Sequence, residues 1–138
     1  MRIIRSIIAV GAGLGFMAAT VTVGTLLGSV ILGGDSSDGR PSPSAVGVSL
    51  AANLAVCAIG ALMGGWLAAR IATYAPYAHA AAMAAIVAVF SISTATGPPA
   101  PGYPGWYPST LAMVAVFGVL LGGKLRAAAA VPLVRDRG

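Results

Sequence analysis

The sequence predicts an all-α membrane protein, a compact up-down bundle of four transmembrane helices. Four apolar stretches, at about 7–32, 46–71, 79–96 and 107–123, are each long enough to cross the roughly 30 Å hydrocarbon core of a bilayer. The chain is 58% hydrophobic and only 8% charged, and its charged residues lie at or beyond the ends of these stretches. In a chain of 138 residues, four spans leave room for one integral membrane domain, 1–138, and for no separate soluble core.

The basic residues predict the orientation of the bundle. Arg2 and Arg5 precede the first stretch, Arg70 ends the second, and Arg40 lies in the connection between them. Four more follow the fourth stretch: Lys124, Arg126, Arg135 and Arg137. Cytoplasmic flanks of membrane helices carry an excess of Lys and Arg, so both termini are expected in the cytoplasm. The net charge of +5 is thus explained by the flanks of the spans. We expect the lipid bilayer, and no nucleic acid, as a partner.

The first stretch follows a short basic segment, as the apolar part of a secretory signal also does. It is longer than the ~7–15 apolar residues of such a signal, and no A-x-A cleavage site follows it. We therefore expect an uncleaved membrane helix.

The connections carry turn-forming and aromatic residues. The segment around Pro76 is short, which predicts a tight hairpin of the second and third helices. The connection at 97–109, GPPAPGYPGWYPS, is rich in proline, which favours a stiff extended backbone. Tyr103, Trp106 and Tyr107 are typical of the aromatic belt at a membrane interface. The same three residues are our candidate anchors for a partner protein.

Small residues recur at steps of three and four in every stretch, and they predict faces on which helices pack closely. In lipid, helix association depends on close backbone approach and on interhelical hydrogen bonds. The candidate packing residues include three G-x-x-x-G pairs: Gly11/Gly15, Gly60/Gly64 and Gly118/Gly122. Gly24 and Gly28 lie off the main row of the first stretch, so a second contact face is expected there.

An internal similarity links the second and fourth stretches. Residues 60–67 are GALMGGWL, and residues 118–125 are GVLLGGKL. Two origins fit this similarity, namely a parallel duplication of a helical hairpin or convergence on glycines that allow close packing. The first and third stretches match each other poorly.

Two polar residues are candidate sites. Asn53 lies on the small-residue face of the second stretch, where its amide is expected to pack the bundle by bonding across helices, worth about 0.6–2 kcal/mol. A contact to a substrate is the alternative. His79, the single histidine, is expected at the interface with a wetted imidazole. The alternatives are a pH sensor or an axial ligand to a pigment or haem of a larger complex, which makes it the one candidate cofactor-binding residue.

Other chemistry is missing from the sequence. It contains no Glu, and no charged residue lies in the middle of a stretch, whereas ion-coupled carriers usually keep one there. No Cys/His cluster indicates a metal site, and no nucleophile–base pair with an orienting acid indicates catalysis. The hydroxyl groups at 91–96 are expected to bond to their own helix, with an outer vestibule as the alternative. We therefore expect no catalytic residue, no metal site and no cofactor.

The segments GGWLAARIA (64–72) and PYAHAAAMAA (76–85), followed by a proline-rich connection and WYP, resemble small uncharacterised four-helix membrane proteins of GC-rich bacteria. The resemblance covers most of the chain. It implies a location in the bacterial inner (plasma) membrane and carries no activity with it. Small multidrug carriers differ because they have a Glu in the first helix. Fluoride channels are similar in length, but SISTAT (91–96) lacks the paired phenylalanines of their helix break.

These observations predict a non-enzymatic polytopic membrane protein, an accessory or scaffold subunit of a larger bacterial membrane complex. Its partners would be other membrane subunits or further copies of itself. The alternative is a small homo-oligomeric channel or transporter. The two functions differ in the polar residues that they need. A pore requires a continuous row of water-exposed polar side chains, whereas the rows of small apolar residues here predict closely packed helices.

Overall fold

The computed structural model describes residues 2–32, 43–72, 74–97 and 103–129, and these ranges contain four helices with short turns beside them and no strand. The four helices are α1 (Arg2–Leu32), α2 (Pro43–Ile71), α3 (Pro76–Ala95) and α4 (Tyr107–Ala129). Each contains a segment long and apolar enough to cross a membrane: Ile3–Gly28, Val46–Ile71, Pro76–Ser93 and Tyr107–Ala129. The chain therefore has the helices of a multi-pass membrane protein.

The helices extend beyond the apolar stretches from which they were predicted. α1 starts at Arg2, before the predicted start at 7, and α4 continues through Lys124 and Arg126 to Ala129. Helical hydrogen bonding does not stop at the edge of the hydrocarbon core, and long basic side chains can extend back toward the lipid headgroups. Hydropathy therefore locates the spans more accurately than it locates the helix ends.

The α2–α3 connection is a tight turn with a left-handed residue. Ala75 has φ 46° and ψ 61°, and Pro76 follows it at the start of α3. Proline suits this position because its φ is already helical and its missing N–H would have no partner there. The Ala78 N–H donates to the Ala75 carbonyl at 3.0 Å. The hairpin expected around Pro76 thus forms at the cost of one strained alanine.

The order of the helices around the bundle is α1, α2, α4, α3. α2 packs extensively against α1 and α4, and α3 packs mainly on α4. α1 touches α3 over a smaller area, and among the described residues it does not meet α4. α1 is therefore the least enclosed helix, and it depends chiefly on α2 for its position.

Contacts along the seams give the relative directions of neighbouring helices. On α1 and α2 the numbers run in opposite senses, since Gly13 lies at Gly64 and Gly24 lies at Val56. On α2 and α4 they rise together, from the Asn53–Tyr107 contact onward. The bundle thus has an Asn53 end and a His79 end, named after the residues that lie near each.

The interior of the bundle is built from small side chains. Met83 and Val119 are the largest fully buried side chains, and alanines such as Ala61 and Ala68 fill much of the rest. A second cluster joins Cys57, Val87 and Ala115 from three helices. The outside carries large exposed residues, among them Ile4, Phe16, Val30, Phe90 and Phe117. This distribution is unfavourable in water but suits lipid, where helices associate through close packing of small residues.

Candidate functional site

The seam between α1 and α2 is centred on two glycines that face each other. A Cβ added at Gly13 would lie 2.7 Å from the Gly64 carbonyl oxygen and 2.9 Å from the Ala68 Cβ. A Cβ at Gly64 would in turn lie 2.8 Å from the Gly13 carbonyl oxygen. Gly60 continues the seam, since a Cβ added there would lie 3.3 Å from the Thr20 Cβ. Of the predicted packing residues, Gly60 and Gly64 therefore lie in the α1–α2 seam.

The contact expected at Gly11 and Gly15 is absent from the bundle. A Cβ at either position would meet no atom of the described residues within 4 Å, and both residues are exposed. Gly13, which lies between them in the segment GAGLG, makes the contact with α2 instead. Ala9, four residues before Gly13, is fully buried, so the face of α1 that packs is the small pair Ala9/Gly13 and not the G-x-x-x-G pair.

The second contact face expected at Gly24 and Gly28 also differs from the structure. Gly24 packs within the bundle, because a Cβ there would overlap the Val56 side chain of α2. Gly28 has no neighbour within 4 Å among the described residues. The surface that α1 leaves open is therefore on the side of Gly11 and Gly15.

The seam between α2 and α4 is equally tight. A Cβ at Gly118 would lie 2.8 Å from the Ala61 Cβ, and one at Gly122 would overlap the Leu62 carbonyl group. Gly65 of α2 similarly faces the Val119 carbonyl group. The predicted pair Gly118/Gly122 thus lies in this seam, and helix backbones here approach without intervening side chains.

The similar segments of α2 and α4 have different roles in the bundle. Gly60 and Gly64 of α2 face α1, whereas the corresponding Gly118 and Gly122 of α4 face α2. A duplicated hairpin with a two-fold axis would place Gly118 and Gly122 against α3. The asymmetry favours convergence on close-packing glycines as the origin of the similarity.

Asn53 joins three helices through two hydrogen bonds. The Thr25 hydroxyl of α1 donates to Asn53 Oδ1 at 3.1 Å, and Asn53 Nδ2 donates to the Tyr107 hydroxyl of α4 at 2.6 Å. Cys57 lies one turn further along α2 and is buried. Both ends of the Asn53 amide are therefore bonded across the bundle, as expected for a residue that holds helices together.

Tyr107 does not lie on the surface, as a partner anchor would. Its side chain is only 5% exposed, and its hydroxyl points into the bundle toward Asn53. Tyr103 and Trp106 are 50% and 55% exposed and pack on the Tyr107 ring, with centroids 5.4 Å and 6.0 Å away. Tyr107 shares its helical face with Ala115 and Gly122, and this spacing in the sequence could have indicated a buried position.

His79 links the beginnings of α3 and α1. Its Nδ1 lies 3.0 Å from the Ala75 carbonyl oxygen, and its Nε2 lies 2.8 Å from the Ser6 hydroxyl. A carbonyl only accepts, so Nδ1 donates to it, and Nε2 is paired with the Ser6 hydroxyl. Both ring nitrogens are engaged, and neither is directed at an open site for an axial ligand. Sequence reasoning missed Ser6 because nothing local relates it to His79.

Several Ser and Thr hydroxyl groups are bonded within their own helices. Hydroxyl groups donate to carbonyl groups of their own helix: Thr20 to Phe16, Ser93 to Phe90, Thr96 to Ile92 and Thr110 to Trp106. Within the described ranges, no three His, Cys, Asp or Glu residues lie close enough together to hold a metal ion.

An apolar groove of about 450 Å³ runs along the outside of the α1–α2 seam. Val23 and Leu27 of α1 form one wall, Val56 and Ile59 of α2 form the other, and Gly24 lies at the seam. Its size is within the range of small-molecule sites, which are lined mainly by apolar groups. The groove opens on the surface that faces lipid in a membrane.

Comparison with family models, with curated proteins and with solved structures finds no match to this chain. A function for it therefore has to be inferred from its packing, its polar contacts and the distribution of its charges.

Proposed function

We propose that this chain is a non-enzymatic accessory or scaffold subunit of a larger complex in the bacterial inner membrane. It is an up-down bundle that crosses the bilayer four times with both termini in the cytoplasm. Seven of its eight Lys and Arg residues flank that side, and this distribution supports the orientation. The antiparallel contacts of α1 with α2 support the up-down arrangement.

The observation that carries the proposal is a row of small residues on the face of α1 that points away from the bundle. Gly11, Gly15, Ala18 and Thr22 are all exposed, and they follow one another at steps of three and four along one face. Such a row allows another helix to approach its backbone closely. α1 is also the least enclosed helix, so a partner helix can pack there without displacing one of the bundle.

The packing of the bundle argues against transport by the chain alone. Its described interior consists mainly of Ala and Gly with a few larger side chains, namely Leu50, Cys57, Met83, Val87, Tyr107 and Val119, and it contains no buried charged residue. Asn53 is bonded on both sides, and hydroxyls such as Thr20 and Ser93 are bonded to their own helices. A channel needs a continuous wetted lining, and these side chains contribute their polar groups to packing.

Glycine variants on α1 test the proposal. Gly11→Leu and Gly15→Leu are expected to keep the thermal stability of the isolated bundle, since a Cβ at either position would meet nothing within 4 Å in the described part of the chain. They should lose the membrane partners that co-purify after extraction in mild detergent. Gly28→Leu is the matched control on the same helix. Gly28 also has no described residue within 4 Å of an added Cβ, and the variant should retain those partners.

Reconstitution into liposomes separates the scaffold from a channel. Purified protein is expected to give no ion or solute flux above empty vesicles. Selective flux from the chain alone would overturn the proposal, and so would retention of the same partners by Gly15→Leu and Gly28→Leu.

A further inference from the structure

The α1–α2 seam has a basic end and an apolar groove on the same side. Arg5 lies eighteen residues before Val23 on α1, which is five full turns, so both occupy the same line along the helix. Arg70 follows Ile59 on α2 through Met63 and Trp66, at steps of four, three and four. Val23 and Ile59 line the groove. Both arginines therefore lie on the groove side of the seam, near the His79 end.

Arg70 is held at the level expected for a lipid headgroup. Its guanidinium carbon lies 5.0 Å from the centre of the Trp66 ring, a cation–π contact within its own helix. Tryptophan prefers the boundary between the hydrocarbon and the headgroups. Arg5 and Arg70 are both exposed. No acidic side chain lies among the described residues, so their charge has no protein counter-ion in that part of the chain.

The distance along the seam matches half a bilayer. Eleven residues separate Ile59 from Arg70, and at about 1.5 Å per residue this is roughly 16 Å. Half of the hydrocarbon core is about 15 Å. A lipid whose phosphate lies at the level of Arg70 would place the end of its acyl chain in the groove near Ile59. Arg5 lies about 27 Å from Val23 along α1, so it is further out, on the headgroup side of Arg70.

We propose that this surface is a binding site for one anionic phospholipid. Its phosphate lies between Arg5 and Arg70, and one acyl chain follows the α1–α2 seam past Met63 into the groove at Gly24. The proposal rests on the membrane insertion proposed above, but it does not depend on the identity of any protein partner. Basic positions between helices at the membrane surface are suited to anionic headgroups, with about a fivefold gain in affinity for each Lys or Arg.

Trp66 provides a reporter inside the proposed site. The chain has two tryptophans, so a Trp106→Phe background leaves Trp66 as the sole source of tryptophan fluorescence. The protein is reconstituted in phosphatidylcholine vesicles that contain a small fraction of brominated phosphatidylglycerol or, in parallel, brominated phosphatidylcholine. We expect the anionic lipid to quench at a severalfold lower mole fraction, and Arg5→Gln or Arg70→Gln each to reduce that preference about fivefold.

Matched controls separate a site from a general surface charge. Lys124→Gln removes an exposed charge on α4, near the same end of the bundle as the two arginines. This variant should keep the preference for the anionic lipid. Ala19→Phe fills the groove and should reduce the number of phosphatidylglycerol molecules retained in native mass spectrometry, whereas Ala85→Phe on the exposed side of α3 should not.

Three results would overturn the proposal. They are equal quenching by the two lipids in the parent protein, an undiminished preference when both arginines are replaced, and an equal loss with Lys124→Gln. A response of Trp66 to inorganic phosphate in pure phosphatidylcholine vesicles would assign the site to the free anion instead of the lipid. Unchanged partner co-purification in the arginine variants would show that this site and the proposed scaffold role are separate.

Discussion

Replacing single glycines of α1 by alanine gives an internally controlled test of the packing. Gly11, Gly13 and Gly15 lie within five residues of one another in the interior of the same helix. Each gains about 0.8–1.0 kcal/mol of helix propensity on replacement by alanine. Because this gain is common to all three, differences in stability among the variants report the surroundings of the added methyl group.

The structure predicts that only Gly13→Ala is penalised. Its Cβ would lie 2.7 Å from the Gly64 carbonyl oxygen and 2.9 Å from the Ala68 Cβ, whereas a Cβ at Gly11 or Gly15 would have no described atom within 4 Å. Comfortable carbon contacts are about 3.5–4.0 Å, so α1 must retreat from α2 by several tenths of an ångström. Overpacking of this kind costs about 1–3 kcal/mol. We therefore expect Gly13→Ala to be less stable than Gly11→Ala and Gly15→Ala by that amount.

The measurement is reversible unfolding of the purified protein in mixed detergent micelles, followed by circular dichroism. Gly11→Ala and Gly15→Ala should be as stable as the parent or slightly more stable. Equal stability of all three variants, or a loss confined to Gly15→Ala, would refute the assignment of Gly13 to the seam.

Further predictions follow from the other seams and from the orientation. Gly122→Leu should destabilise the bundle far more than Leu26→Ala, because the new side chain meets the backbone of α2 whereas Leu26 is exposed; similar melting temperatures would contradict this. Asn53→Ala should cost about 1–2 kcal/mol through two lost interhelical bonds. A double-mutant cycle with Tyr107→Phe should show coupling, and strict additivity would exclude the hydrogen bond. A reporter fused after Gly138 should be active in the cytoplasm, and periplasmic activity would reverse the orientation.

The number and positions of the helices could be predicted because lipid imposes a length on every span. The rotation of each helix could not be predicted to the same degree. In GAGLG, Gly11 and Gly15 share one face of α1 and Gly13 lies on another, and the choice between the two faces is made by α2, which presents Gly64 and Ala68. Small-residue spacing identifies possible faces, but the partner helix decides which one is used.

The aromatic and polar residues show the same limit for the candidate site. The three aromatic residues before and at the start of α4 are similar in type and close in sequence. Only Tyr107 is buried, whereas Tyr103 and Trp106 are exposed. The difference arises from Asn53, whose amide accepts a bond on one side and requires an acceptor on the other. The Ser6–His79 contact joins residues on α1 and α3, and its prediction would have required the packing of those two helices.

The small interior of this bundle inverts the usual relation between hydrophobicity and mutational harm. In a water-soluble domain, a change from alanine to leucine on the surface is the one that invites aggregation. Here the outward positions such as Ile4, Val30 and Phe117 are exposed, and in the proposed bilayer any apolar side chain is tolerated there. At Ala61 or Ala68, both fully buried, the same exchange makes the chain more hydrophobic while it forces two helix backbones apart. Harmful variation in this protein therefore escapes detection by hydropathy and is detected by side-chain volume.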